Sequence, residues 1–478
     1  MSTTEETFSQ TIISDRDHLT SKSQQEEEPG SSLHDPSGSR PGLNPYSSAE
    51  ASPGSSAESS PGSSSGTNAA QSEEIHRIIL QPSLNPDFPA HPEGKMDPEK
   101  RDAGGFASVA ARVDFSSIAT VVSRRTDRDV KRALDRAASR EQLSFYDYCA
   151  LISPAADSYL EAMAVAARDL TLQRFGNVIQ LFAPLYLSNE CNSHCTYCGF
   201  SVGNQIRRKT LSMEELDREA DALYEQGIRH VLLLTGEDYR ATPVEYLEKA
   251  ALQIRDRFPS ISIEVYPLKT PDYARLRKAG VDGLAVYQET YDPVRYKEVH
   301  LQGMKKRLEF RLNCPDRAGQ AGIRKIAIGA LLGLSDPASE VYMLGLHGRY
   351  LMHNFWQTQL SVSLPRLRQA TGVSDLPEVR DREFVRYLLA LRLFLPDAVI
   401  TLSTRESPEF RDRMAGLCIT QMSAGSKTDP GGYRISSEQD RAAEQFSIDD
   451  HRSIGVMRNR LKELGKDPIF LDWSSVLK

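Results

Sequence analysis

Long apolar runs are missing from this sequence: no stretch comes near the roughly 18 residues that a membrane-spanning helix needs, so no membrane anchor is expected. The N-terminus also lacks the basic region and apolar core of a secretory signal, and its acidity argues against an organellar transit peptide. Cysteine is scarce, six in 478 residues with three of them inside eight, which argues against a disulfide framework and for a reducing, cytoplasmic setting. A charge excess is missing from the body of the chain as well. The first 95 residues hold 14 acidic and 5 basic side chains, which leaves 51 acidic and 53 basic for the remainder. A body so nearly neutral carries no electrostatic footprint for nucleic acid or for an anionic membrane surface. Small-molecule chemistry becomes the default.

From Ser31 to about Asn68 the chain is almost entirely Ser, Gly, Pro, Ala and Glu, and AEASPGSS at Ala49 recurs as AESSPGSS at Ala57. Such a stretch has too little apolar surface to offset its conformational entropy, so residues 1–100 are expected to be disordered, with a structured segment at the short apolar patch Ile75–Gln81 as the alternative. Helical spacing begins near Asp114 and predicts helices over Asp127–Ala138 and Tyr159–Phe175. From Leu181 onward, short apolar runs alternate with amphipathic segments. Eight of these runs read as strands: LFAPLYLS, HVLLLTGE, ISIEVYP, GLAVYQET, LEFRLNC, KIAIGALLG, TQLSVSLP and AVITLSTRE. Capping residues followed by proline mark helix starts at Thr242, Thr270, Asp292, Asp336 and Ser407, and Thr242 with Glu245 and Ser212 with Glu215 have capping-box spacing. The fold expected is an α/β (β/α)8 TIM-type barrel over residues 181–415, with an open doubly wound sheet as the alternative. A helical segment over 114–180 precedes it, and a loop and helix region over 416–478 closes it.

The segment CNSHCTYCGF, from Cys191 to Phe200, follows the first strand, where barrels of this kind place active-site loops. Three thiolates at spacings of three and two residues can hold a [4Fe–4S] cluster while leaving one iron without a protein ligand. An open metal position is what catalysis needs. The competing reading is a structural zinc site completed by His194 or a remote cysteine. Zinc motifs bring a second pair of ligands, and Cys149, Cys314 and Cys418 stand alone. Such isolated cysteines ordinarily serve as small core residues.

With Tyr197 just before its last cysteine, this C-x3-C-x2-C segment resembles the signature of radical S-adenosylmethionine (SAM) enzymes. The similarity extends through LYLSNECNSHCTYCGFSVGNQIRRKTL, VYQETY, PDRAGQAGI, LLGLSD, SVSLPRLR, LSTRESPEFRDR and SAGSKTDPGGY. These stretches resemble the tyrosine lyases of thiamin thiazole biosynthesis, the 2-iminoacetate synthase family. The resemblance covers residues from about Asp114 to Lys478. It implies a [4Fe–4S] cluster on Cys191, Cys195 and Cys198, SAM on the open iron, and cleavage of the Cα–Cβ bond of L-tyrosine to 2-iminoacetate and p-cresol. It also implies a thiazole synthase that takes the unstable product and a flavodoxin or ferredoxin as reductant.

Residue roles follow from the same resemblance. Thr235, Gly236 and Glu237 resemble the motif that binds the methionine part of the cofactor, against the plainer reading of a polar strand end. Glu289 resembles a ribose acceptor. Arg311, expected on a fifth strand, resembles a partner of the cofactor carboxylate, a task that suits its planar fork; a rim ion pair is the alternative. For the substrate carboxylate Arg405 is preferred, with Ser423 beside it and Arg366 and Arg368 as competitors. Tyr186 resembles a substrate-contacting tyrosine, although a strand aromatic is more often core. The Gly-rich loop from Ser423 to Tyr433 reads as a lid or a plain connector.

Alternatives within the superfamily are the tyrosine lyase of [FeFe]-hydrogenase maturation, tryptophan lyases and deazaflavin-forming enzymes. The first resembles this chain but carries extra C-terminal cysteines, and nothing after Cys418 is a cysteine here. Biotin-synthase-like sulfur insertion needs further barrel cysteines. A reading of another class is a non-catalytic, metal-stabilised protein on a barrel platform.

Overall fold

Capping decides where most helices of the computed structural model begin. The structure describes residues 104–373, 378–434 and 442–470; the acidic tail and the patch Ile75–Gln81 lie outside the described residues. Thr126 and Asp129 form a reciprocal capping box that starts the helix Asp127–Ala138, and Ser144 with Asp147 starts Phe145–Ile152. Each such cap contributes about 1 kcal/mol. The helix Leu160–Phe175 ends at Gly176, whose φ of 62° favours a residue without a Cβ. These helices pack against the later helices Pro337–Asn354 and Asp381–Phe394, so the N-terminal segment shields one flank of the barrel. The preceding turn, Gly105–Ala110, is pinned by Phe106, whose ring stacks on His347 at 3.7 Å.

The strands are β1 (Val178–Ser188), β2 (His194–Cys195), β3 (His230–Thr235), β4 (Ser260–Glu264), β5 (Val281–Glu289), β6 (His300–Gln302), β7 (Lys325–Ala330), β8 (Gln359–Ser363), β9 (Val399–Leu402), β10 (Gln421–Ser423) and β11 (Asp467–Ile469). Eight of them form a closed parallel barrel in the order β1-β3-β4-β5-β7-β8-β9-β10, and β10 returns to β1 with Gln421 opposite Gln180. Strand β11 pairs with Val178–Gln180 of β1, on the edge that β3 takes from Ala183 onward. Side chains alternate as the pleat requires. Val231, Leu233, Ile261 and Ile263 pack outward under the helices, while Phe182, Tyr186, Leu232 and Leu234 form a separate cluster inside. Below that cluster the interior is polar, with Ser361, Thr401, Gln421 and Gln180 joined by hydrogen bonds of 2.8–2.9 Å.

One expected strand is a helix. LEFRLNC forms the turn Leu308–Leu312 and leads into a second helix, Cys314–Gln320. Leu308 and Leu312 satisfy a helical spacing as well as an alternating one, and Pro315 favours the second helix start. The remaining barrel strand is β10, so the barrel runs from Val178 to Ser423 and past the expected bounds of 181–415. Its three residues are too short to show periodicity. Asp292, Asp336, Ser407 and Ser212 cap their helices as expected. Thr242 and Thr270 do not. The helix after Thr242 starts at Val244, leaving Thr242 to bond the Asp238 carbonyl, and Thr270 lies within its helix.

Candidate active site

Beyond the end of β1 the chain turns into the cysteine loop, and backbone bonds from three directions fix it. Arg208 donates to the carbonyls of Asn189 (2.6 Å), Phe200 (2.8 Å) and Ser201 (2.7 Å), gathering the two ends of the loop around one cation. Strand β2 pairs with β6, placing Cys195 opposite His300, and the Thr196 amide donates to the Val299 carbonyl at 3.1 Å. Glycine makes two close approaches feasible. A Cβ on Gly236 would collide with the Glu190 carbonyl oxygen, and one on Gly303, at φ 88°, would stand 2.5 Å from Ser193 Oγ.

Cys191, Cys195 and Cys198 are all free thiols. Burial pushes Cys191 up to about 11 and raises the other two, so their thiolate forms need a cationic partner. Among the described residues no three His, Cys, Asp or Glu side chains converge on one metal ion. A cubane instead takes each thiolate on a separate iron. The other cysteines, Cys149, Cys314 and Cys418, are buried in the core, as expected of small apolar residues.

Beside this loop two acids and two bases are buried together. Glu237, after β3, accepts from Arg311 at 2.8 Å; Glu289, ending β5, accepts from Lys305 at 2.7 Å and faces Arg311 at 3.6 Å. Burial alone would raise Glu289, but Lys305 and Arg311 outweigh it and hold the carboxyl below its usual range. Glu289 has a φ of 68°, rare for a non-glycine residue, at a shift in the β5–β7 register. Such strain persists where the surroundings over-determine it. Arg311 reaches this network from its helical turn, with its Nε donating to the Tyr287 carbonyl at 2.7 Å. Four buried oxygens nearby lack a hydrogen-bond partner among the described residues: Thr235 Oγ1, Glu237 Oε2, Asn192 Oδ1 and Ser193 Oγ. Orphans at this density fit a ligand rich in donors. Tyr197 is fixed by His300: the His300 Nδ1 faces the Tyr296 carbonyl at 2.8 Å, so its Nε2 accepts from the Tyr197 hydroxyl at 2.7 Å. Burial, aided by Lys305, depresses His300 to about 3, which keeps the ring neutral.

The network opens into a cavity at the C-terminal mouth of the barrel, lined by Tyr186, Tyr197, Cys198, Glu264, Tyr287, Glu289, Lys305, Arg405, Ser423, Gln445 and Phe446. The three candidate arginines differ sharply here. Arg366 is bound by Glu406 and by Asp381 at 2.7 Å, and Arg368 by Glu406 at 3.2 Å and Asp449 at 3.0 Å. Arg405 has no ion pair among the described residues. Its guanidinium lies 3.3 Å from the Phe446 ring centre and faces the cavity. Ser423 accepts from the Thr404 amide at 3.1 Å and so steadies the Arg405 loop. Tyr186 donates to Gln445 at 2.6 Å, and the Gln445 amide lies 3.9 Å from Cys198 Sγ. The loop from Ser423 to Tyr433 packs against the segment that carries Gln445, through Thr428, and against β1, through Tyr433, whose hydroxyl donates to the Pro184 carbonyl at 2.6 Å.

Sequence reasoning therefore collected the thiols, Tyr186, Tyr197, Thr235, Gly236, Glu237, Glu289, Arg311, Arg405 and Ser423, all of which the fold brings to this mouth. It missed Lys305, His300, Gln445, Phe446 and Glu264. Only Glu264 left a signal, as the lone charge at the end of an apolar strand.

Comparison with known proteins agrees with this geometry. Residues 185–343 match the Radical SAM superfamily, and residues 363–467 match the Biotin and Thiamin Synthesis associated domain. The chain is 44% identical over 374 residues to the 2-iminoacetate synthase of Escherichia coli (strain K12), covering 78% of this chain and 97% of that protein. It is 43% identical over 368 residues to the 2-iminoacetate synthase of Salmonella typhimurium, covering 77% and 96%. The X-ray structure of the FeFe-hydrogenase maturase HydG from Carboxydothermus hydrogenoformans superposes with a TM-score of 0.70 at 34% identity, covering 77% of this chain and 84% of that one. Fold, thiol loop and sequence agree, and the chain belongs to the 2-iminoacetate synthase family of radical SAM enzymes.

Proposed function

We propose that this protein cleaves the Cα–Cβ bond of L-tyrosine, giving 2-iminoacetate for the thiazole of thiamin, p-cresol, 5′-deoxyadenosine and methionine. The observation that carries the reading is the pairing of an incomplete set of three thiols with a cavity whose arginine, Arg405, has no acidic partner among the described residues. Cys191, Cys195 and Cys198 would hold a [4Fe–4S] cluster, and the free oxygens of Thr235 and Glu237 would accept from the N–H groups of the methionyl amine of SAM. The cluster supplies one electron and SAM supplies the capacity to abstract a hydrogen atom. Glu289 accepts from the ribose, and Arg311 faces the cofactor carboxylate while neutralising Glu237. The Tyr197 ring, held by His300, would contribute to the wall of the cofactor site.

On the substrate side Arg405 binds the tyrosine carboxylate as a fork, its plane set by Phe446. Ser423 holds the Arg405 loop, and Tyr186 closes one wall. The stretches around Ser423–Tyr433 and Gln445 exclude water from the mouth. No described helix is long and apolar enough to cross a membrane. A cytoplasmic location, a reductant such as flavodoxin or ferredoxin, and a thiazole synthase that receives 2-iminoacetate complete the reading, since this imine hydrolyses readily.

Hydrogenase-maturation chemistry is disfavoured because the last cysteine, Cys418, is buried in the core and none follows it. The test is anaerobic reconstitution followed by incubation with reductant, SAM and either tyrosine or tryptophan. Brown protein with about four irons per chain and consumption of tyrosine alone are expected. Consumption of tryptophan instead, or a colourless protein with one zinc, would overturn the assignment.

A further inference from the structure

Glu264 ends β4 and lines the cavity, yet its carboxyl makes no hydrogen bond or ion pair with any described residue. The other acids at the mouth are committed: Glu237 and Glu289 to Arg311 and Lys305, Glu406 to Arg366 and Arg368. An unpaired carboxyl in such a place costs desolvation energy unless a ligand bonds to it. Burial, reinforced by Glu289 and opposed by Lys305, Arg311 and Arg405, pushes Glu264 up to about 7.

Barrel order gives this carboxyl a direction. Strand β4 is four strands from β9 either way around the closed sheet, so Glu264 and the Arg405 loop stand on opposite walls. Phe182, Leu232, Leu234 and Tyr287 line the same cavity. The carboxylate and ammonium of an amino acid share one carbon, so a substrate anchored at Arg405 keeps both on that side. Only the far end of its side chain reaches the β4 wall.

Resting on the tyrosine reading above, we propose that Glu264 is the specificity-determining residue for that substrate, accepting a hydrogen bond from its phenolic O–H. Apolar walls alone distinguish tyrosine from phenylalanine poorly, whereas a buried polar group left unpaired by the wrong ligand rejects it strongly.

The test is equilibrium binding of L-tyrosine and L-phenylalanine, measured calorimetrically on cluster-loaded protein with SAM bound, for wild type, Glu264→Gln and Glu264→Leu. Circular dichroism and cluster absorbance verify that each variant is folded and loaded. Wild type should prefer tyrosine by about 100-fold or more. Glu264→Leu should bring the ratio to within about tenfold by weakening tyrosine while phenylalanine holds or improves. Glu264→Gln, whose side-chain carbonyl still accepts from a phenol, should keep most of the preference. An unchanged ratio in Glu264→Leu, or equal losses of both ligands, would overturn the proposal. Wild type that binds tyrosine without preferring it would overturn this proposal and leave tyrosine cleavage standing. Wild type that binds neither ligand would overturn the tyrosine reading itself.

Discussion

Three arginines stand beyond the last barrel strands, and their partners assign them different work. Arg366 and Arg368 share Glu406, whose side chain is only 2% exposed, and each has a second acid in Asp381 or Asp449. Arg405 stacks on Phe446 and has no ion pair among the described residues. Arg405→Ala should therefore abolish tyrosine binding while leaving tyrosine-independent SAM cleavage detectable. Arg366→Ala should act on stability instead, by about 3 kcal/mol, because it leaves a buried carboxylate short of a partner. Tyrosine titration and urea denaturation of both variants separate the roles; unchanged tyrosine turnover in Arg405→Ala would refute its part. Proximity in the sequence placed all three arginines at the mouth. Which one is free was illegible there, because that depends on Glu406, Asp381 and Asp449 arriving from other elements.

Among the elements, long strands with β-branched residues and capped helices could be read from the sequence, and short or ambiguous ones could not. β10 has three residues and is defined by its neighbours β9 and β1, while LEFRLNC meets two periodicities and tertiary contact chooses the helix. The β2–β6 pair was also invisible, although it clamps the cysteine loop. Its tolerance is testable at Gly303, where an added Cβ would meet Ser193 Oγ at 2.5 Å on a backbone of φ 88°. Gly303→Ala should reduce iron retained after reconstitution, measured per chain, with little change in far-ultraviolet circular dichroism. Full iron loading would contradict the clamp.

A second element junction carries a pH signature. Glu340, on the helix Pro337–Asn354, accepts from Thr290 Oγ1 and from the Tyr291 amide at 2.9 Å, tying that helix to the end of β5. Burial pushes its carboxyl from 4.5 up to about 8, against those hydrogen bonds. The fold thus keeps a proton that the unfolded chain releases, so this contribution is complete below pH 4.5 and lost as pH rises through 8. The slope is about 1.4 kcal/mol per pH unit inside that window. Glu340→Gln should remove this slope, stabilising the protein more at pH 8 than at pH 5 in thermal or urea denaturation. An equal effect at both pH values would contradict it.

At the scale of the whole molecule, the barrel gathers the groups proposed for cofactor and substrate at one mouth, and the chain beyond β10 returns to cover it. Thiol spacing and seven of the eight barrel strands were legible because both are local patterns. Lys305, Gln445 and Phe446 were not, because Lys305 sits in a single 3-10 turn and the other two in a loop, none with periodicity, and they reach the site through contacts such as the Lys305–Glu289 ion pair and the stacking of Phe446 on Arg405. The most direct test of the account is an anaerobic assay of the reconstituted enzyme with reductant, SAM and L-tyrosine, with p-cresol and 5′-deoxyadenosine quantified together. The two should appear in step in wild type, and both should vanish in Cys191→Ala, Cys195→Ala and Cys198→Ala. Tyrosine left intact by iron-loaded wild type, or p-cresol formed by a cysteine variant, would contradict it.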